Sequence, residues 1–140
     1  MREDVRQALA IGDSASIEDR TIDITTTGRR SGMPRRIEIV FYRFEESTYL
    51  SGIPGPRKRD WLVNLTANPH MTFHLKHGII ADLPAVATVI TDPSERRRVL
   101  ANFVDQFNRR NGPDSPWPRA DLEEWVQSSP LAKVDFLEAD

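Results

Sequence analysis

Apolar and polar residues alternate over several short stretches of this chain, and a period of two marks half-buried β-strands. From 34 to 44, Ile37, Ile39 and Phe41 alternate with Arg36, Glu38, Val40 and Tyr42. The Ile- and Thr-rich run 20–27 and the run 48–53 read as strands on either side of it. From 70 to 76, Met71, Phe73 and Leu75 share a face, and a turn at His77-Gly78 leads into a strand over 79–91. Pro84 within that strand predicts a bulge or an edge position. A last strand, 131–137, alternates Leu131, Lys133, Asp135 and Leu137 with Ala132, Val134 and Phe136.

Four segments change to a helical period. Val5, Leu9 and Ala8 share one face of a short first helix. Asp60 is placed to cap a helix over 61–67, which Asn68-Pro69 ends. Asp92-Pro93-Ser94-Glu95 opens a helix to about 108 that buries Val99, Leu100, Phe103 and Val104. Leu122, Trp125 and Val126 mark one more short helix. Strands joined by short turns pair antiparallel, and six of them close into a small barrel without free edges. The regular strand–helix alternation of a Rossmann sheet is missing. The expected fold is therefore mainly β, a six-stranded antiparallel barrel with flanking helices. It is organised as one domain over 1–140: a helical segment 1–18, barrel core 19–91, helices 92–128 and final strand 129–140.

Composition narrows the function. At 140 residues the chain suffices for one core without staples, and there is no cysteine, which removes disulfides, thiolate metal sites and cysteine nucleophiles. A net charge of −2 argues against nucleic acid. No 18-residue apolar run predicts a membrane span, and no signal peptide is evident, so the expected location is the cytoplasm.

The basic residues are nevertheless clustered. Gly28-Arg29-Arg30-Ser31-Gly32 and then Arg35 and Arg36 put four arginines within eight residues. Glycines let successive N–H groups point inward, and guanidinium forks match phosphate or carboxylate oxygens. The alternative is a solvated hairpin turn. A second basic loop, Ser51-Gly52-Ile53-Pro54-Gly55-Pro56-Arg57-Lys58-Arg59, runs from a strand into a helix N-terminus, a setting that attracts anions. It lacks the G-K-[ST] ending of a Walker loop. Together the loops favour a phosphate-bearing ligand, and they are expected to converge in space and grip one negatively charged group. Ser51 and Thr25-Thr26-Thr27 are candidate donors, and Trp117 is the tryptophan expected over a pocket, Trp61 and Trp125 being expected as packing. His70 and His74 share a strand face about 13 Å apart at 3.3 Å per residue, too far for one ion. No nucleophile–base set is visible. A hydride-transfer enzyme needs none, because its cofactor carries the reactive atom.

The strings TTTGRRSGMPRRIEIVFY and TYLSGIPGPRKRDWLVNLTANPHMTFHL resemble the deazaflavin-dependent nitroreductase family, over about residues 20–91. These are split β-barrels akin to the FMN-binding pyridoxamine-phosphate-oxidase-like barrels. The resemblance implies a homodimer that binds F420, a 5-deazaflavin with a phosphate and an acidic tail. It also implies hydride transfer to a quinone, nitro compound or activated alkene. By motif, Arg30 and Arg35 match positions that contact phosphate or tail. Ser51, Gly52, Gly55, Arg57, Lys58 and Arg59 match the loop near the phosphate and ring; Arg29, Ser31 and Trp61 complete the candidate cofactor contacts. Better-known members carry a tyrosine near Val40 and others near the C-terminal helix, where this chain has none. Related barrels bind FMN or haem, so an FMN enzyme and a non-catalytic carrier of flavin, haem or fatty acid stand as alternatives.

Overall fold

Inward residues of one strand find their partners only across the sheet, and the pairing here closes on itself. The computed structural model describes residues 1–11, 16–116 and 118–137. Six strands, β1 (Thr21–Thr27), β2 (Pro34–Phe44), β3 (Ser47–Ser51), β4 (His70–Leu75), β5 (Ala81–Val89) and β6 (Leu131–Phe136), form a closed barrel in the order β1-β2-β3-β6-β5-β4. Every neighbouring pair is antiparallel. The final strand is thus part of the barrel wall, seated between β3 and β5, and not an appendage to it.

Ile22 and Ile24 of β1, Phe41 of β2, Leu50 of β3, Phe73 of β4, Leu83 and Ala85 of β5, and Ala132 and Val134 of β6 fill the interior. Burial of such side chains contributes about 1.5–3 kcal/mol each and drives closure. Pro84 makes no bulge, because the register runs unbroken through Thr72↔Pro84. Its carbonyl accepts from the Leu137 N–H, so its amide side faces the point where the β6 ladder stops. A missing N–H costs little there.

A second apolar cluster covers the outside of β2, β3 and β6. There α3 (Pro93–Arg110) and α4 (Leu122–Ser128) pack Val99, Leu100, Phe103, Val104 and Trp125 against Tyr49 and Leu131. Tyr42 faces this layer and stacks on Phe103, ring centroids 4.5 Å apart. Asp92 caps α3 by accepting from the Glu95 N–H at 2.9 Å, with Pro93 beginning the helix. Arg96 clamps α4 to the barrel, donating to the carbonyls of Ile90, Val126 and Ser129. Helix α1 (Glu3–Leu9) contributes buried Val5 and Leu9 to the same core. Helix α2 (Asp60–Ala67) lies against β1 and β5 with Trp61 and Leu65 in the core.

Candidate functional site

The β1–β2 hairpin is shaped by its two glycines. Gly28 donates to the Met33 carbonyl and Gly32 to that of Gly28, both at 2.8 Å. A Cβ on Gly28 would lie 2.6 Å from Ser31 Oγ and 3.2 Å from the Met33 carbonyl, so a larger residue would turn the Ser31 side chain away. Gly32 takes φ +70°, which glycine adopts without strain. The hairpin is tied down by Asn64 of α2. That buried side chain accepts from the Arg29 backbone N–H and from Arg29 Nη1, and its Nδ2 donates to Thr26 Oγ1. Arg29 Nη2 also reaches Asp60 at 3.5 Å. Between hairpin and helix lies a cavity of about 410 Å³, lined by Thr26, Gly28, Arg29, Arg30, Ser31, Arg35, Ile37, Asp60, Trp61 and Asn64.

The helix begins differently from the sequence expectation. Arg59 is the N-cap and Asp60 the first helical residue, with no side-chain cap. Leu62 and Val63 both donate to the Arg59 carbonyl. The Asp60 carboxylate turns to Arg29 instead.

The second basic loop opens elsewhere. Gly55, Arg57, Lys58 and Arg59 line a separate cavity of about 380 Å³, on the side of α2 marked by Leu62, with Val89, Arg96 and Ser128 to Pro130 opposite. The two loops therefore border one helix but do not close on one point. Arg59 is a strut: its Nη2 donates to the Ile53 carbonyl at 2.6 Å. A Cβ on Gly55 would stand 3.0 Å from Arg59 Nη1, a tight approach that the glycine relieves. The side chains of Arg30, Arg35, Arg57 and Lys58 have no hydrogen-bond or ion-pair partner among the described residues. Two unpaired cations thus face each cavity.

Ser51 and Gly52 line a third cavity, of about 310 Å³, with Ile17, Val40, Tyr42, Ile53, Gln106, Phe107, Arg110 and Asn111. Its walls are mostly apolar. Ser51, expected to donate to a ligand, spends its hydroxyl proton on the Pro130 carbonyl at 2.8 Å and can only accept. Trp117 lies outside the described residues. Sequence reasoning missed Tyr42, Gln106 and Phe107 here, and behind them Arg20, which donates to Gln106 Oε1. The only signal was an arginine opening an otherwise Ile/Thr strand, whereas Tyr42 and Gln106 read as ordinary strand and helix positions.

Residues 3–111 match the family model described as F420H(2)-dependent quinone reductase. The chain belongs to that family. It is an F420-dependent reductase, and its cofactor is F420. The FMN and non-catalytic carrier alternatives give way to that match.

No curated relative matches the sequence. Among solved structures, the conserved hypothetical protein Rv2991 of Mycobacterium tuberculosis is similar at 18% identity and TM-score 0.66, covering 99% of this chain and 82% of that one. An F420-H2 dependent reductase, FDR-A, is similar at 17% and 0.56, covering 83% and 94%. HutZ, the haem storage protein of Vibrio cholerae, reaches 15% and 0.58, covering 98% and 88%. These likenesses place the split-barrel fold. The residues present suit F420: four unpaired cations match an anionic phosphate and tail, and an apolar cavity matches ring chemistry.

One constellation in this reductase was invisible in the sequence. His74 of β4 is buried between Thr25 of β1 and Asp82 of β5, at 2.7 Å and 2.6 Å. Asp82 can only accept, so Nδ1 donates to it; in the neutral ring Nε2 then accepts from the Thr25 hydroxyl. This has the order of a nucleophile–base–acid set. It lies on a paired sheet face outside the three cavities above, and it functions as a cross-strand clamp. On the same outer face Lys76 and Arg36 hold Asp23, at 2.7 and 2.9 Å, and Lys76 also pairs with Glu38. The Lys76 ammonium first, then Arg36, keeps the Asp23 carboxyl below the usual range.

Proposed function

We propose that the reductase delivers its hydride to a small apolar acceptor in the cavity between Val40 and Phe107, with a quinone, nitro compound or activated alkene as the acceptor class. The observation that carries this is the separation of functions around α2. Unpaired cations, Arg30 and Arg35 on one side and Arg57 and Lys58 on the other, line two cavities, while the third cavity is mostly apolar, with Val40, Ile53 and Phe107 in its walls.

Bound F420 supplies the hydride. The chain's part is to bind, orient and keep the site dry. Arg30, Arg35, Arg57 and Lys58 would hold the phosphate and acidic tail. Arg29 and Arg59 are positioning residues: one fixes the hairpin to Asn64, the other fixes the 52–59 loop through the Ile53 carbonyl. Trp61 forms a wall of the first cavity and Ser31 braces the hairpin by accepting from the Met33 N–H. Val40, Ile53 and Phe107 exclude water from the acceptor. Ser51 Oγ, with its proton on Pro130, offers an acceptor to a ring N–H.

Reduced F420 mixed with the protein and a panel of acceptors is expected to regain its fluorescence with a quinone, nitroarene or enone, and not with a saturated ketone. No reoxidation by any of the three classes would remove this assignment. We further propose a homodimer, in keeping with a similar split barrel described as a domain-swapped dimer, at 15% identity and TM-score 0.53. Light scattering should return the mass of two chains; a single-chain mass at working concentrations would contradict it.

A further inference from the structure

We infer that Arg20 makes the apolar cavity selective for an acceptor that carries a negatively charged oxygen, an acidic hydroxyquinone being the chemical class it takes. This rests on the proposed acceptor cavity.

Arg20 is 2% exposed, among the most buried large side chains of the protein. Arginine is almost never buried unless it is paired. Here no carboxylate pairs with it among the described residues. Its Nη1 donates to Gln106 Oε1 at 3.2 Å, while Nε and Nη2 are sealed from solvent with no hydrogen-bond partner among the described residues. The guanidinium also lies 5.3 Å from the centre of the Tyr42 ring. A buried charge left uncompensated in this way calls for an explanation, and a functional role is one that the neighbouring cavity supplies.

Both groups that Arg20 touches are walls of the cavity. Arg20 fixes the Gln106 amide with its oxygen toward the guanidinium. One Gln106 N–H donates to Asn102 Oδ1 at 2.6 Å, leaving the second without an acceptor. The Tyr42 hydroxyl has no hydrogen-bond partner among the described residues. This wall therefore offers donors backed by a positive charge, while Val40, Ile53 and Phe107 give the cavity its apolar surface and Arg110 and Asn111 complete the lining. The complement is a flat apolar molecule with an anionic oxygen. Arg20's own N–H groups need not touch it. The charge acts across the Tyr42 ring and through the Gln106 amide, where water does not screen it, so Arg20 is a positioning residue.

The test uses the protein without cofactor and two probes of similar shape, 2-hydroxy-1,4-naphthoquinone, anionic at neutral pH, and neutral 2-methyl-1,4-naphthoquinone. With no cysteine in the chain, thiol addition does not interfere. Calorimetry should give the anion at least about a tenfold preference, the scale of one charge-assisted contact. Arg20→Gln should abolish the preference while leaving affinity for the neutral probe within about twofold, and Arg20→Lys should restore most of it. Equal binding of both probes by the wild type, or a preference that survives in Arg20→Gln, would overturn the inference. So would loss of the preference in Arg35→Ala or Lys58→Ala, which would put the anion in the basic cavities. If Arg20→Gln shows no cooperative melt, Gln106→Leu decides: the preference should fall by most of its value, and an unchanged preference counts against the inference. Titrating F420 into Arg35→Ala and Lys58→Ala keeps this separate from the cofactor assignment, because both should lose F420 affinity while keeping the preference for the anion.

Discussion

Asp23 carries a charge whose worth depends on two cations supplied by other strands. Lys76 and Arg36 hold its carboxyl below the ordinary value. A carboxyl depressed in the folded state stabilises it fully above the unfolded value, about pH 3.9, and loses that contribution as pH falls through the folded value. Asp23→Asn is therefore expected to melt below the wild type by a constant margin from pH 7 to about 5, a margin that narrows toward pH 2. Thermal melts across that range check it, and a margin that widens in acid contradicts the ion-pair account. The basic loops were legible as clusters of arginine, but which of their charges are free was not. Arg29 and Arg59 look like Arg30 and Arg57 in the sequence. Only the fold shows that Asn64 and the Ile53 carbonyl consume the first two. Arg20 was missed for the same reason, since a lone arginine at a strand start reads as surface until its burial is known.

At the scale of elements, α2 is the common wall of the two basic cavities, and Asn64 is its fastening. One amide joins the Arg29 backbone, the Arg29 side chain and Thr26. Asn64→Ala is expected to cost about 1–3 kcal/mol by leaving buried partners unmatched, read as a lower urea midpoint with unchanged slope. The same variant should weaken F420 binding, because the hairpin that presents Arg30 and Arg35 is no longer tied to the helix. Undiminished stability would show that the hairpin stands without this tie. Strand and helix identities were legible because inward positions must be apolar at a period of two or 3.6. Their ends were less so: the third strand stops at Ser51 and not 53, and the fifth spans Ala81–Val89 and not 79–91. Asp60 shows why. An N-cap signal is local, and a neighbouring arginine competed for the carboxylate.

For the whole molecule, barrel closure was foreseeable from six short strands, but their order was not. Pairings β1–β4 and β3–β6 join segments far apart in sequence, and no local pattern encodes them. That order sets the two basic loops on either side of α2, where the sequence led to the expectation of one grip. The central claim is that the cations left unpaired there bind the anionic parts of F420. The most direct measurement is a fluorescence titration of F420 against the wild type and two double variants, Arg30→Ala/Arg35→Ala and Arg57→Ala/Lys58→Ala. Each pair should lower affinity by about 2–6 kcal/mol, the sum of two charge-assisted contacts, while FMN binds the wild type far more weakly than F420. Curves for both double variants that overlay the wild type would contradict the account.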